Sequence, residues 1–219
     1  MAQHTEVRLN LYVRLALKGD HIMMNADIQR LLAEIYAEGQ HNDASVQEHS
    51  RKMLNLEPPT AQLLSILVRS SRRTNILEIG TSSGYSTIWL AWATQTVGGH
   101  VTSIDRSAEK HALADTNLRR AHLRETVDLI CGDASEIVAR LTGPFDFVFF
   151  DADRRSAPNQ LELIVPKLTP DAFILADNVN SHPDEIAGYL AAIEKLTQFE
   201  HTIIPVGKGL SLAYRQRAD

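Results

Sequence analysis

Residues 75–95, NILEIGTSSGYSTIWLAWATQ, contain the pattern that decides the fold. The short apolar run NILEIG predicts a buried strand, and GYSTIWLAWATQ predicts a helix that follows it. Between them lie Gly80 and Gly84, which allow the backbone to turn tightly and to approach a ligand closely. A strand that enters a helix through a glycine turn is typical of a parallel α/β sheet.

The same alternation of strand and helix continues along the chain. Four further strands, each followed by a helix, are predicted at residues 100–105, 127–133, 145–152 and 171–179. Two final apolar runs, separated at Lys208 and Gly209, predict a hairpin. The predicted fold class is therefore α/β, with a seven-stranded, mostly parallel sheet, an antiparallel terminal hairpin and helices on both faces.

Composition narrows the classes of function. The chain has 219 residues, a net charge of −5 and a pI near 6.0, without the clustered basic residues that nucleic acid would require. The sequence shows neither an apolar run long enough to span a membrane nor a signal peptide. The single cysteine, Cys131, excludes a disulfide framework, and its apolar run predicts a buried thiol. We expect a cytoplasmic protein.

The polar amino-terminal part is expected to be helical. Residues 1–52 form a predicted helical segment of the same domain, available as an oligomer contact or as a substrate cover, and residues 53–219 form the ligand-binding domain. Within the first segment, ADIQRLLAEIYAEG predicts a helix that ends at Gly39. A second helix is predicted from Pro58.

Five consecutive predicted strands end in or near an acidic residue. In open sheets of this kind, ligands bind beyond the carboxyl ends of the strands. Any one of these acids would more often be a helix N-cap than a ligand contact. The regularity of the set nevertheless indicates a site, formed by Glu78, Asp105, Asp133, Asp151 and Asp177.

The glycine turn indicates which ligand the first strands bind. Its spacing, G-x-x-x-G, lacks the third glycine of a pyrophosphate-binding turn, and Glu78 would repel phosphate but attract a cation. Asp105, which follows Gly80 by 25 residues, matches the acid that binds a ribose diol. A nucleoside with a cationic tail satisfies both features. S-adenosylmethionine (SAM) fits this description, and NAD does not.

Six segments in order, ILEIGTSSGYSTIWLA, SID, GDA, FDFVFFDAD, ADNV and VGKGLSLAYR, resemble the SAM-dependent O-methyltransferases of the catechol and caffeoyl-CoA type. The resemblance covers about residues 53–216. It implies the Rossmann-like class I methyltransferase fold, with a reversed last strand. It also implies methyl transfer to a hydroxyl of a small catechol-like molecule or other vicinal diol, and a homodimer.

The resemblance also implies which residues bind each ligand. It assigns the methionine part of SAM to Glu78, Gly80, Thr81 and Ser86, the ribose to Asp105, and the adenine to Asp133 and Ala134. It places Asp151 beside the cofactor and assigns a divalent cation, Mg²⁺ or Ca²⁺, to Asp151, Asp177 and Asn178. Such oxygen donors suit a hard cation, which would lower the pKa of a bound hydroxyl.

The sequence departs from the family at two places. Arg154 replaces the lysine often assigned as base, and because arginine stays protonated it could stabilise an oxyanion but could not accept a proton. Ala157 and Gln160 stand where family members tend to carry tyrosines near the substrate. His182 is the other catalytic candidate, as base or relay, although with Pro183 it could simply begin a helix.

Two other classes of function stay open at this point. A non-catalytic SAM-binding protein is compatible with the missing lysine. A nicotinamide-dependent oxidoreductase would require the third glycine, which is absent. The expected partner is a small-molecule hydroxyl acceptor, with no nucleic acid and no membrane.

Overall fold

The computed structural model describes residues 23–216, so residues 1–22 of the predicted amino-terminal segment lie outside it. The α-helices in this range are α1 (Ala26–Ser45), α2 (Pro58–Ser70), α3 (Tyr85–Gln95), α4 (Ala108–Arg120), α5 (Ala134–Arg140), α6 (Ala157–Ile164) and α7 (Pro183–Glu194). The strands are β1 (Asn75–Ile79), β2 (His100–Asp105), β3 (Val127–Cys131), β4 (Phe145–Phe150), β5 (Leu168–Ala176), β6 (Phe199–Ile204) and β7 (Leu210–Arg215). None of the helices between residues 23 and 216 is long and apolar enough to cross a membrane.

The seven strands form one sheet in the order β3-β2-β1-β4-β5-β7-β6. Strands β1 to β5 pair in parallel, whereas β7 runs antiparallel to both β5 and β6. The predicted fold class is confirmed, including the terminal hairpin. Because the parallel strands point the same way, their carboxyl ends and the turn between β6 and β7 lie along one edge of the sheet.

Apolar layers cover both faces of the sheet. On one face, α1, α2 and α3 pack against residues such as Ile76 and Phe147, and on the other face α6 and α7 pack against residues such as Leu77 and Val148. Every residue of β4 is buried, as expected for a central parallel strand covered on both sides. Burial of each such large side chain contributes about 1.5–3 kcal/mol. These apolar layers hold in place the strands whose carboxyl ends carry the candidate site residues.

Three local predictions were wrong. Helix α1 continues past Gly39 to Ser45, because this glycine is a packing position: a Cβ there would lie 2.3 Å from the Asn55 amide nitrogen. The Cys131 thiol is exposed, since β3 is an edge strand with one neighbour. The strand predicted at residues 171–179 begins and ends three residues earlier, because α6 ends at Ile164 and a 3-10 turn, Val165–Lys167, leads directly into β5 (Leu168–Ala176).

Candidate functional site

The turn after β1 brings two strand ends into close contact. Gly80 has a φ of +112°, and a Cβ there would lie 2.1 Å from the carbonyl oxygen of Asp151, so only glycine fits. Its backbone N–H donates to Ile104 O at 2.9 Å, and the N–H of Asp151 donates to Ile79 O at 2.8 Å. The ends of β1, β2 and β4 are therefore held side by side.

Glu78 is a fully buried carboxyl group in the middle of this edge. Ser103 and Thr87 donate hydroxyl hydrogen bonds to its Oε2, at 2.6 and 2.5 Å, whereas its Oε1 has no hydrogen-bond partner among the described residues. Burial raises the pKa of Glu78 to about 7, because the hydroxyl donors offset only part of the desolvation and Asp105 adds a repulsive charge. A cationic group at Oε1 would favour the ionised form.

Two other residues assigned to the methionine part lie around the same turn. Thr81 is buried, and its Oγ1 lies 2.6 Å from Ser103 Oγ, which in turn donates to Glu78. Ser86 is buried in the first turn of α3. The structure thus brings together the four residues that the resemblance assigned to the methionine part, with the carboxylate of Glu78 buried among them.

The acids after β2 and β3 already have backbone partners. Asp105 accepts from Ser82 N at 2.8 Å with Oδ2 and from Ser107 N at 2.9 Å with Oδ1, which holds the glycine turn against the end of β2. Asp133 is exposed and caps α5 by accepting from Glu136 N at 3.0 Å; Ala134 is the first residue of that helix. Each carboxylate oxygen has two acceptor sites, so these bonds leave capacity for a ligand.

The acids after β4 and β5 are crowded and poorly neutralised. Burial, followed by the charges of Asp177 and Glu78, raises the pKa of Asp151 well above its usual range. Burial and the charge of Glu57 raise the pKa of Asp177 to about 6. Asp177 Oδ1 is buried without a partner among the described residues, and Asn178 Nδ2 donates to Asp151 Oδ1 at 3.3 Å.

This cluster fits a hard cation by its chemistry. Between residues 23 and 216, no group of three or more His, Cys, Asp or Glu side chains is arranged to hold a metal ion. The predicted set contains two carboxylates and an amide, Asp151, Asp177 and Asn178, and Asn178 adopts a left-handed φ of +68°. The unpartnered oxygen of Asp177 and the repulsion between neighbouring acids are what a bound divalent cation would relieve.

Arg154 is committed to an ion pair at the wall of this site. Its guanidinium donates to Glu185 Oε2 at 3.0 Å, while its charge lowers the pKa of Asp151 against the opposing effect of burial. A small pocket lies between the ends of β4 and β5, and it is lined by Ile79, Phe150, Asp151, Ala152, Asp153, Arg154, Ala157, Gln160, Asp177, Asn178 and Ile186. Asp153 is exposed and accepts from Ser156 within its own turn.

His182 lies at the N-cap position of α7, but its side chain does not cap the helix. Its exposed ring places Nδ1 2.8 Å from Ser181 Oγ, and Ser181 Oγ donates to Asn178 Oδ1 at 3.2 Å. Through Asn178 this chain of polar groups continues to Asp151. The histidine is therefore connected to the acidic cluster without contacting it directly.

Sequence patterns did not indicate the contacts by which Asn55, Glu57 and Lys208 shape this edge. Asn55 donates to Ile35 O at 2.9 Å and accepts from Ser83 Oγ at 2.6 Å, so it ties α1 to the glycine turn. Glu57, just before α2, forms an ion pair of 2.8 Å with Lys208 in the β6–β7 turn. These contacts join distant parts of the chain, and no local motif marks them.

Comparisons with known proteins agree with the geometry. Residues 77–179 match the model of a methyltransferase domain. A catechol O-methyltransferase of Niastella koreensis is 32% identical over 139 residues, 62% of this chain and 62% of that protein, so the match spans about three fifths of the relative. A caffeoyl-CoA O-methyltransferase of Stellaria longipes is 22% identical over 78% of this chain and 80% of its own length.

A solved structure extends the likeness to nearly the whole chain. An O-methyltransferase from Bacillus cereus, in complex with SAH, superposes with a TM-score of 0.73 and 27% identity, over 95% of this chain and 97% of that one. The fold is thus that of a Rossmann-like class I methyltransferase. The chain is similar to O-methyltransferases of the catechol and caffeoyl-CoA type.

Proposed function

We propose that this protein transfers a methyl group from SAM to a hydroxyl of a small catechol-like molecule or other vicinal diol. The observation that carries the proposal is Glu78, a buried carboxylate with one unpartnered oxygen beside a glycine turn that touches the Asp151 backbone. A cationic amino-acid tail satisfies that oxygen. The methyl donor would then lie next to the acidic cluster after β4 and β5.

The cofactor would lie across the ends of β1, β2 and β3. Glu78, Gly80, Thr81 and Ser86 would hold its methionine part, Asp105 its ribose, and Asp133 and Ala134 its adenine. Asp105 supports this assignment because its backbone hydrogen bonds fix its carboxylate at the turn. The SAH held by the Bacillus cereus relative supports the choice of cofactor.

Asp151, Asp177 and Asn178 would hold a divalent cation, Mg²⁺ or Ca²⁺. When bound, the cation would orient two adjacent hydroxyls and lower the pKa of the reacting one. The two carboxylates, whose pKa values are raised without a cation, provide the negative charge for it. Positioning of this kind can supply effective molarities of roughly 10⁵–10⁸ M.

Arg154 and His182 would have separate catalytic roles. Arg154 is paired with Glu185 and always protonated, so it stabilises negative charge on the acceptor oxygen and removes no proton. His182 would receive the proton through Ser181 and pass it to solvent. Changing His182 to Ala should lower kcat and leave SAM affinity intact, and an unchanged kcat would confine the histidine to the start of α7.

The proposal extends to the surroundings of the site. The acceptor is a small molecule, and neither nucleic acid nor membrane is a partner. The protein is cytoplasmic and forms a homodimer, with residues 1–52 as a helical part of the same domain that covers the substrate or contacts the second subunit. The packing of α1 against the apolar core, through Ile28, Leu32 and Ile35, supports a single domain.

Two measurements test the proposal. Calorimetry should show micromolar binding of SAM and SAH, and a panel of catechols with labelled SAM should show methyl transfer that a chelator stops and Mg²⁺ restores. Binding without turnover across the panel would favour a non-catalytic SAM-binding protein. Turnover that continues in excess chelator would remove the cation from the mechanism, and retention of a nicotinamide cofactor would overturn the proposal.

A further inference from the structure

The turn between β6 and β7 presents a lysine at the acceptor side of the site. Val179 N donates to Gly209 O at 3.1 Å and Asn180 N donates to Lys208 O at 2.8 Å, so this turn is bonded to the loop that follows Asp177 and Asn178. The close packing of Gly209 on Asn180, where a Cβ would lie 2.6 Å from the Asn180 side chain, fixes the same contact. The backbone of Lys208 therefore has a defined position beside the cluster.

A carboxylate from another part of the chain orients the lysine side chain. Glu57 Oε1 lies 2.8 Å from Lys208 Nζ, and Glu57 Oε2 is buried beneath Gly207, where a Cβ would come within 2.9 Å of it. The turn thus covers Glu57 Oε2, and the pair with Lys208 engages Oε1. The effect of this pair is to hold the ammonium group of Lys208 in place. Because the turn is already ordered by its packing, only the side chain of Lys208 loses conformational entropy when the pair forms.

The ammonium group has unused hydrogen-bonding capacity on the open side. An ammonium carries three donors, and among the described residues Glu57 is the partner of Lys208, whose side chain is 46% exposed. Although partial burial lowers it, Glu57, Asp177 and Asp151 together raise the pKa of Lys208, so the group stays charged. Arg154, the other cation beside these acids, pairs with Glu185 through Nη1 and is more buried than Lys208, with a side chain 20% exposed.

We infer that Lys208 determines acceptor specificity by binding a carboxylate on the ring of the acceptor molecule. This inference rests on the proposed methyl transfer and adds the charge class of its substrate. Two adjacent hydroxyls would occupy the Asp151 and Asp177 side, and a substituent of the same ring would face the β6–β7 turn. A fixed, half-exposed ammonium there favours an anionic substituent over a neutral one of equal size.

Matched acceptors and variants test this assignment. The acceptors are 3,4-dihydroxybenzoate and 3,4-dihydroxybenzyl alcohol, which share the diol and differ in charge. Wild type should prefer the acid by about tenfold in kcat/KM, the size expected for a charged hydrogen bond partly exposed to water. Lys208→Met should remove the preference, and Lys208→Arg should retain most of it. Lys195→Met, which removes a lysine at the carboxyl end of α7, should leave the preference unchanged.

A binding measurement separates this inference from the proposed function. Calorimetry of 3,4-dihydroxybenzoate with the SAH-bound protein should show about tenfold weaker binding for Lys208→Met, with SAH affinity unchanged as a check on folding. Equal kcat/KM for the acid and the alcohol in wild type, or an unchanged preference in folded Lys208→Met, overturns the role of Lys208 alone. Failure of wild type to methylate either acceptor, or any other diol, overturns the proposed function and this inference with it.

Discussion

The two sides of the carboxyl edge differ in how their acids are satisfied. The side that we propose for the cofactor, called the cofactor side, is formed by the ends of β1, β2 and β3; there Asp105 and Asp133 accept backbone N–H bonds, and Glu78 accepts two hydroxyl bonds. The side that we propose for the acceptor, called the acceptor side, is formed by the ends of β4 and β5 and the β6–β7 turn. There Asp151 and Asp177 repel each other, and Asp177 has one oxygen without a partner among the described residues.

The cofactor side is thus held in shape by hydrogen bonds without a ligand, whereas the acceptor side carries buried negative charge that is not balanced. Backbone donors fix the shape of the cofactor side before any ligand arrives. On the acceptor side, burial penalises charges that only a cation or a cationic ligand would balance. Substitutions should accordingly destabilise the first side and relieve the second.

The largest effect is expected where the two sides meet. Gly80→Ala would force a Cβ against the Asp151 carbonyl at a φ of +112°, and should cost about 3 kcal/mol of unfolding free energy or more. Gly98→Ala is the matched control: it has a φ of +76° but open space around it, and should cost about 1 kcal/mol. Urea unfolding measures the loss of unfolding free energy in both variants. Equal losses would show that the ends of β1 and β4 can move apart to accommodate a Cβ at residue 80.

Glu78 is the exception on the cofactor side, and its titration tests the cost of its burial. Its folded pKa of about 7 lies above the ordinary 4.5, so its contribution to stability is complete below pH 4.5 and is lost as pH rises through 7. In the ligand-free protein, this group should lower the free energy of unfolding by about 3 kcal/mol as the pH rises from 4.5 to about 7. Glu78→Gln should abolish that part of the pH dependence, whereas the exposed Glu162→Gln should not. If the free energy of unfolding changed with pH in the same way in wild type and in Glu78→Gln, the raised pKa of Glu78 would be contradicted.

Neutralising an acid on the acceptor side should raise the free energy of unfolding, whereas Gly80→Ala should lower it. At pH 8 without divalent cations, Asp177→Asn should stabilise the protein by about 2 kcal/mol, because it removes a buried charge next to Asp151. Asp153→Asn, in the exposed turn nearby, should destabilise slightly because it weakens the bond from Ser156. Thermal unfolding with added Mg²⁺ should raise the melting temperature of wild type and not of Asp177→Asn. If Asp177→Asn were less stable than wild type, the acids of both sides would stabilise the fold, and the difference between the two sides would be contradicted.

The smallest effect is expected from a conservative change on the cofactor side. Asp105→Asn leaves one acceptor oxygen for two backbone donors, Ser82 N and Ser107 N, and should cost about 1 kcal/mol of stability. The same change should weaken SAM binding roughly tenfold, and Asp105→Ala by up to about a hundredfold. Calorimetry measures both, and unchanged affinity in Asp105→Ala would leave this acid only its structural role.

The sequence predicted what depends on local pattern. Alternating apolar runs located all seven strands, and the acids predicted at or near the ends of five of them lie along one edge, because parallel strands end together. Local pattern could not predict the Glu57–Lys208 pair, whose members are far apart in sequence. It also misjudged Cys131, because an apolar run does not reveal whether its strand is central or at the edge.

The position of β7 has a consequence for biosynthesis. A chain is made from its amino terminus at about 5–20 residues per second, and β7 is the last of the seven strands of this sheet to be made. Because β7 lies between β5 and β6, the hydrogen-bonding edge of β5 stays uncovered until residues 210–215 emerge. From the synthesis of β5 until that of β7, the nascent chain therefore carries an unpaired strand edge, so we expect truncation before residue 210 to leave that edge exposed to aggregation.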